Sequence, residues 1–266
     1  MIILGIETAT ARVGCALGGM EGVLAEFHSA RGRRHAETLA PAIEFICRSA
    51  DIELSEVSVV AVDIGPGLFT GLRVGVATAK ALAQALRVPM IGLSSLDLLA
   101  YPLRNSERMV VPVIDARRDE VYWSTYRQVP GGIQRLTDYR LSTPRELAAE
   151  LSASRRPYLL VGDGAARYAD QLGDKGVEPG LEWSAHPSPG ALVELAHARA
   201  LREEFVHPSE LSVLYLRRSD AEINWDIRHG IIPEDGLDGP AGGEYGGTAA
   251  DGYGGTVTGG TDVPPT

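Results

Sequence analysis

The order of elements in this chain occurs twice, and that repetition limits its fold more than any single motif does. Residues 2–7 (IILGIE) are a near-continuous apolar strand, RVGCALGG (12–19) alternates Val13, Cys15 and Leu17 against small residues, and VLAEFHSA supplies a third short strand. From His35 the apolar period becomes helical, with Ala36, Leu39, Ala40, Ile43, Ile46 and Cys47 on one face. A buried strand (VSVVAVDIG, 57–65), a helix over 70–86, a strand (PMIGLSS, 89–95) and a short helix beginning near Ser95 complete the first half. In the second half MVVPVIDA (109–116), EVYWSTYRQV (120–129) and GIQRLTDYRLS (132–142) read as strands. TPRELAAELSAS then starts a helix, with Thr143 as N-cap, Pro144 in the first turn and Glu146 closing a capping box. A strand YLLVGD (158–163), a long helix over 191–205 and a closing segment LSVLYLRR (211–218) follow. Two consecutive strand-strand-strand-helix-strand-helix units predict a duplicated α/β fold with mixed sheets and a cleft between the halves.

A fold of that size needs a large core, and 266 residues of which 44% are hydrophobic can bury one. MIILGIETAT lacks a basic segment and a small-residue cleavage site, and no apolar run is long enough to cross a bilayer, so the expected location is the cytoplasm. Cys15 and Cys47 match neither a metal spacing nor a redox CxxC and read as packed thiols. The net charge is −10, of which residues 228–266 contribute −5 and residues 1–227 the other −5. Neither part has the basic excess that wrapping a phosphate backbone requires. Arg31, Arg33 and Arg34, and the pair Arg117 and Arg118, read as solvated faces or local phosphate contacts. The stretch from His229 onward holds 12 of the 31 glycines and no apolar periodicity, so residues 228–266 read as a disordered, acidic, Gly-rich tail.

The stretch VAVDIGPGLFTGLRVGVATAKALA offers two readings, a phosphate-cradling loop or a closely packed helix. A Walker loop requires G-x-x-x-x-G-K-[ST], but Gly71 is followed by Leu72 and Arg73, and the spacing of Gly65 and Gly67 also breaks G-x-G-x-x-G. As a helix, the stretch confines Arg73, Lys80 and Gln84 to one stripe and is apolar elsewhere, which means burial on more than one side. Gly71, Gly75 and Ala79 recur at i, i+4 and i+8, a small-residue strip that admits a close neighbour, either in this chain or in a second one. No histidine pair has ligand spacing, since Leu39 stands one turn after His35, and no serine lies in a G-x-S-x-G elbow. Glu7, Asp63, Asp115, Glu120 and Asp163 fall at strand ends, where carboxylates cap or solvate more often than they catalyse.

IETATARVGCAL, RRHAETLAP, DIGPGLFTGLRVGVATAKALA, PMIGLSSLDLLA, VIDARRDEVYW and LYLRR, in that order, resemble the TsaB (YeaZ) family. That family is the dimerisation subunit of the bacterial machinery making threonylcarbamoyladenosine at position 37 of tRNA. The resemblance covers about residues 2–220, with no counterpart for the tail. It implies a duplicated actin/hexokinase-like (ribonuclease H-like) fold: an N-terminal subdomain, 1–105, carrying the partner-binding helices, a C-terminal subdomain, 106–227, and the tail, 228–266. In that superfamily a nucleotide sits between the halves on Asp-x-Gly loops. Here Glu7-Thr8-Ala9 and Asp115-Ala116-Arg117 replace two of them, and Gly162-Asp163-Gly164 only faintly matches the third. In the similar catalytic subunit TsaD a histidine pair holds the metal; His35 matches the first and Leu39 replaces the second.

The resemblance therefore implies a catalytically retired paralogue without a metal or cofactor of its own, though with room for a nucleotide at a subunit interface. It would pair with TsaD through His35, Leu39, Gly71, Leu72, Gly75, Val76, Ala79 and Ala83, with TsaE joining, and the sequence leaves open both a homodimer and a monomer when TsaD is absent. It would meet tRNA only through the complex. A glycoprotease-like peptidase and an ATP-dependent kinase of the same superfold are the competing classes, opposed by the missing metal pair and the altered phosphate loops.

Overall fold

A computed structural model describes residues 1–30, 35–154, 156–173, 177–179 and 182–216. The expected tail (228–266), Arg31, Arg33 and Arg34 lie outside the described residues. The first half contains β1 (Ile2–Glu7), β2 (Val13–Gly19), β3 (Gly22–Ser29), α1 (His35–Ala50), β4 (Val57–Gly65), α2 (Phe69–Leu86), β5 (Met90–Ser94) and α3 (Ser95–Ala100). The second contains β6 (Met109–Arg117), β7 (Glu120–Trp123), β8 (Tyr126–Val129), β9 (Gly132–Arg135), β10 (Arg140–Ser142), α4 (Pro144–Ser154), β11 (Tyr158–Val161), α5 (Asp163–Arg167), α6 (Ala169–Leu172), β12 (Val177–Pro179) and α7 (Pro189–Ala200).

The duplication is visible in the sheets. The first has the order β3-β2-β1-β4-β5, and the second has β10-β7-β6-β11-β12 with β8 and β9 attached through β6. In each, the first two pairings from the left are antiparallel and the next two parallel. This is the duplicated ribonuclease H-like plan that the sequence implies. β4 ends on Gly65 and β11 is followed by Gly162, both at φ +103°, and a Cβ on Gly162 would collide with the Val113 carbonyl.

Two expected strands are each cut in two, EVYWSTYRQV into β7 and β8 and GIQRLTDYRLS into β9 and β10. EVYWSTYRQV breaks between β7 and β8 because Ser124 and Thr125 turn their polar groups onto Thr137: Ser124 Oγ donates to the Thr137 carbonyl at 2.8 Å, and Thr125 N donates to Thr137 Oγ1 at 3.0 Å. The long helix ends at Ala200 rather than 205, and Val206 instead bridges to Met90. The capping box of α4 forms as read, with Thr143 N donating to Glu146 Oε2 at 2.8 Å and Glu146 N donating to Thr143 Oγ1 at 3.3 Å.

Helices cover each sheet on both faces. Leu4, Ile6 and Val62 of the first sheet pack against α1 and α2 through Leu39, Ile43, Ile46, Val76 and Ala79. Ile3, Val59 and Ala61 on its other face meet α7, which belongs to the second half of the chain. Reciprocally, Val110, Ile114 and Ala116 of the second sheet meet Leu96, Leu99 and Ala100 of α3, and α4 to α6 cover its far face. Each half thus places its last helix on the other half's sheet, so that α3 and α7 lie between the two sheets.

Candidate functional site

The small-residue strip of α2 finds its close neighbour at the end of β1. The Thr8 hydroxyl, just past the end of β1, donates to the Gly71 carbonyl at 2.8 Å. A Cβ on Gly71 would collide with the Thr8 carbonyl, and one on Gly75 with the Thr8 hydroxyl. Ala79 is 0% exposed in the same core, so the strip Gly71, Gly75 and Ala79 takes its close neighbour from within this chain. The other residues expected to bind a partner share that fate: His35, Leu39, Leu72, Val76 and Ala83 are all buried. The His35 Nε2 lies 3.0 Å from the Thr10 carbonyl, which accepts its N–H, and Leu39 fills the core beside Ile43. The expectation that these eight residues form the partner surface is corrected, because the sheet beneath the helices already covers them.

What α1 and α2 leave outside is a different set. Ala77, Ala81 and Ala85 of α2 are exposed, and Val74, Thr78 and Leu82 are half-buried along the same side. On α1, Ala40, Pro41, Glu44 and Phe45 are exposed, Phe45 by 52%. Between the two helices runs an open groove of about 540 Å³ whose apolar lining includes Ala40, Ile43, Cys47, Ile52, Thr78 and Leu82. A helix pair with so many small apolar residues facing solvent is the kind of patch that marks a protein contact.

At the ends of β1 and β4, Glu7 and Asp63 sit one position beyond the paired Ile6 and Val62, on the face that meets α7. Both are 0% exposed. The Ala9 N–H donates to Glu7 Oε1 at 2.8 Å, while Asp63 Oδ1 accepts from Gly65 N at 2.8 Å and from Ser95 Oγ at 2.6 Å. Glu7 Oε2 and Asp63 Oδ2 have no hydrogen-bond partner. Burial, reinforced by the neighbouring Asp63, holds the Glu7 carboxyl well above its usual range, and burial pushes Asp63 up to about 7. Both carboxyls are shut inside the molecule and hold their protons to a higher pH than free carboxylates do.

Asp115, which sequence pairs with Glu7, points the other way. It follows Val111 and Val113 on the face covered by α4 to α6, so the position of the first half that corresponds to it in orientation is Thr8. Its side chain, 5% exposed, is held by two arginines: Arg117 and Arg167 each place Nη1 at 3.0 Å from Asp115 Oδ2. Arg117 N donates to Asp115 Oδ1 at 3.0 Å, and the Asp115 N–H donates to Asp163 Oδ1 at 3.0 Å. The turn that follows is strained, because Arg117, Arg118 and Asp119 have φ of 64°, 53° and 56° in succession. Non-glycine residues in that region cost about 1 to 3 kcal/mol each and persist only where neighbours hold them.

The halves are joined by Asp97 of α3, which accepts from the Tyr126 hydroxyl at 2.6 Å and from the Tyr139 hydroxyl at 3.0 Å. Asp97, Tyr126 and Arg167 carry no readable signal in the sequence, since each gains its role from a partner far along the chain. Among the described residues, no group of three or more His, Cys, Asp or Glu is placed to hold a metal ion. Burial raises both thiols, Cys15 to about 12, which leaves neither as a ready nucleophile. Glu7 is 0% exposed, and a Cβ on Gly162 would collide with the Val113 carbonyl, so both loops lie tightly against their own chain. No described helix is long and apolar enough to cross a membrane.

The chain is similar to known proteins along most of its length. The family model described as TsaD, tRNA N6-adenosine threonylcarbamoyltransferase, matches residues 22–225. The tRNA threonylcarbamoyladenosine biosynthesis protein TsaB of Bacillus subtilis is 31% identical over 229 residues, covering 85% of this chain and 98% of that protein. The Escherichia coli protein of the same name is 36% identical over 135 residues, half of this chain and 58% of that protein. The solved structure of YeaZ from Pseudomonas aeruginosa superposes with a TM-score of 0.71 at 28% identity, covering 81% of this chain and 99% of that one.

Proposed function

The chain belongs to the TsaB (YeaZ) family, and from that premise we propose that it is the non-catalytic subunit pairing with TsaD to form N6-threonylcarbamoyladenosine at position 37 of tRNA. In this reading TsaD transfers the threonylcarbamoyl group from threonylcarbamoyl-AMP to the adenosine amine, TsaE joins the complex, and the present chain supplies a docking surface. The observation that carries the reading is the outward face of α1 and α2, where Ala77, Ala81 and Ala85 leave small apolar side chains at the surface beside the half-buried Val74 and Leu82. Small residues let a second helix pair approach closely, so that apolar area is removed from water at roughly 25 cal/mol per Å².

The absence of a catalytic role is supported by chemistry rather than by fold. His35 is committed to the Thr10 carbonyl, Leu39 is in the core, and Glu7 and Asp63 are fully buried, with carboxyls raised above their usual range. An enzyme acting on a nucleotide or a peptide needs such groups reachable and aimed at a common point. The same arguments disfavour a peptidase or a kinase.

Co-purification with TsaD, followed by a modification assay on tRNA, tests the reading. The wild-type chain is expected to form a heterodimer that supports modification, and neither protein alone is expected to do so. Robust modification by TsaD in its absence, or turnover by this chain alone, would overturn the proposal.

A further inference from the structure

We propose that residues 223–227 (INWDI) of this same chain lie across the outward face of α2 with Trp225 in the groove between α1 and α2, covering the docking surface until the partner displaces them. The inference rests on the reading of that face as the TsaD contact, and goes beyond it by giving the contact an internal competitor.

Three observations carry it. The first is where the described chain leads. The Leu214 N–H donates to the Ile64 carbonyl at 2.8 Å, and the Tyr215 ring lies 5.7 Å from the Phe69 ring in the first turn of α2. Arg73, one turn on, stacks 3.8 Å over Phe69 and donates through Nε to the Tyr215 hydroxyl at 3.4 Å. The chain is thereby delivered to one end of the helix whose outer side carries the exposed Ala77, Ala81 and Ala85. From Leu216 to Ile223 is seven residues, a reach of up to about 23 Å. From Phe69 to Leu82 is thirteen residues of helix, a length of about 20 Å.

The second observation is the pattern of the segment, which lies outside the described residues and before the Gly-rich stretch. Ile223, Trp225 and Ile227 alternate with Asn224 and Asp226, so an extended backbone presents three large apolar side chains on one side. The third is the fit. The groove of about 540 Å³ is open among the described residues, and its lining of Ile43, Ile52 and Leu82 suits a large ring. The alanines of α2 let a backbone lie close to the helix. Asp51 and Glu53 on the rim are opposite in sign to Arg228, which follows the apolar triad. Tethering beside α2 gives the segment an effective concentration on the order of millimolar, which lets a short apolar stretch compete with a larger partner surface.

The test uses the full chain. The emission of Trp225, isolated as the difference between wild type and Trp225→Phe, is expected to be blue-shifted and shielded from acrylamide to an extent independent of protein concentration. Thr78→Arg, at a half-buried position lining the groove, should return that emission to the exposed form while the melting temperature is preserved. Replacing Ile223, Trp225 and Ile227 together by serine should tighten TsaD binding by roughly tenfold, the factor expected when the competitor leaves the face open about a tenth of the time. A fully quenchable Trp225 in the wild type overturns the docking. Shielding that grows with protein concentration assigns the groove to a second copy and overturns it likewise. Unchanged or weaker TsaD affinity in the serine variant, with its melting temperature preserved, overturns the competition. A shielded Trp225 in a chain that binds TsaD in neither form removes the functional reading while the docking of the segment stands.

Discussion

Thr8 and Gly75 share one space: the Thr8 hydroxyl stands where a Cβ on residue 75 would project, and it is held there by donating to the Gly71 carbonyl at 2.8 Å. Helix α2 can approach the end of β1 only because two of its positions lack side chains. Gly75 carries a propensity cost of about 1 kcal/mol, and this contact offsets it.

Gly75→Ala is therefore expected to destabilise the chain by about 1 to 3 kcal/mol, despite alanine's better helix propensity. The melting temperature should fall by several degrees. Combining it with Thr8→Ala removes the obstructing hydroxyl, so the double variant should lose less than the sum of the two single losses. Strict additivity in that cycle would show that the two residues do not share the space.

The outward alanines behave in the opposite way. Ala81→Arg is expected to leave melting within about 0.5 kcal/mol of wild type, since the position is exposed and arginine is a good helix former. Binding to TsaD should drop strongly in the same sample. A variant that retains full TsaD affinity would move the interface to another surface.

Glu7 and Asp63 set a pH dependence with a definite sign. Asp63 titrates near 7 in the folded chain against a usual 3.8, so the folded state keeps a proton that the unfolded chain releases between those values. Its contribution is complete below about pH 4 and is lost as pH rises through 7, on the order of 4 kcal/mol for one such group. Raised Glu7 acts in the same direction. Thermal melts of wild type and Asp63→Asn at pH 5 and pH 8 should diverge, the wild type losing more stability at the higher pH. Parallel curves would mean that the pair is ionised inside the fold.

Asp97 ties the halves together through two tyrosines. Asp97→Ala leaves the buried Tyr126 hydroxyl without its acceptor, a loss of about 1 to 3 kcal/mol for that group alone. Tyr139→Phe, which leaves Asp97 paired with Tyr126, should cost clearly less. Denaturant midpoints that rank these variants in the reverse order would place the junction elsewhere, for instance in the apolar contacts between Leu96 and the second sheet.

Much of the architecture was legible without coordinates. Apolar periodicity is a local property, so β1, β4, α1 and α2 could be read from windows of a few residues. Their repetition exposed the duplication, and the blocks around GPGLFTGLR and IDARRDEVYW carried the family. The break at Ser124 was not legible, because it depends on Thr137, a dozen residues away in the chain.

The candidate site divides along the same line. Sequence alone determined that α2 is apolar on too many faces for a simple surface helix, that it carries a strip of small residues, and that the catalytic spacings are missing. It could not decide which apolar face of α2 points inward, because hydropathy around a helix measures burial without naming the neighbour. Only the tertiary structure decided that, by bringing Thr8 onto Gly71 and Gly75 and leaving Ala77, Ala81 and Ala85 outside. The same holds for the acids: Glu7 and Asp115 look equivalent along the chain, yet a strand reverses its exposed face at every residue, and a one-residue offset between the halves turns one inward and the other onto two arginines.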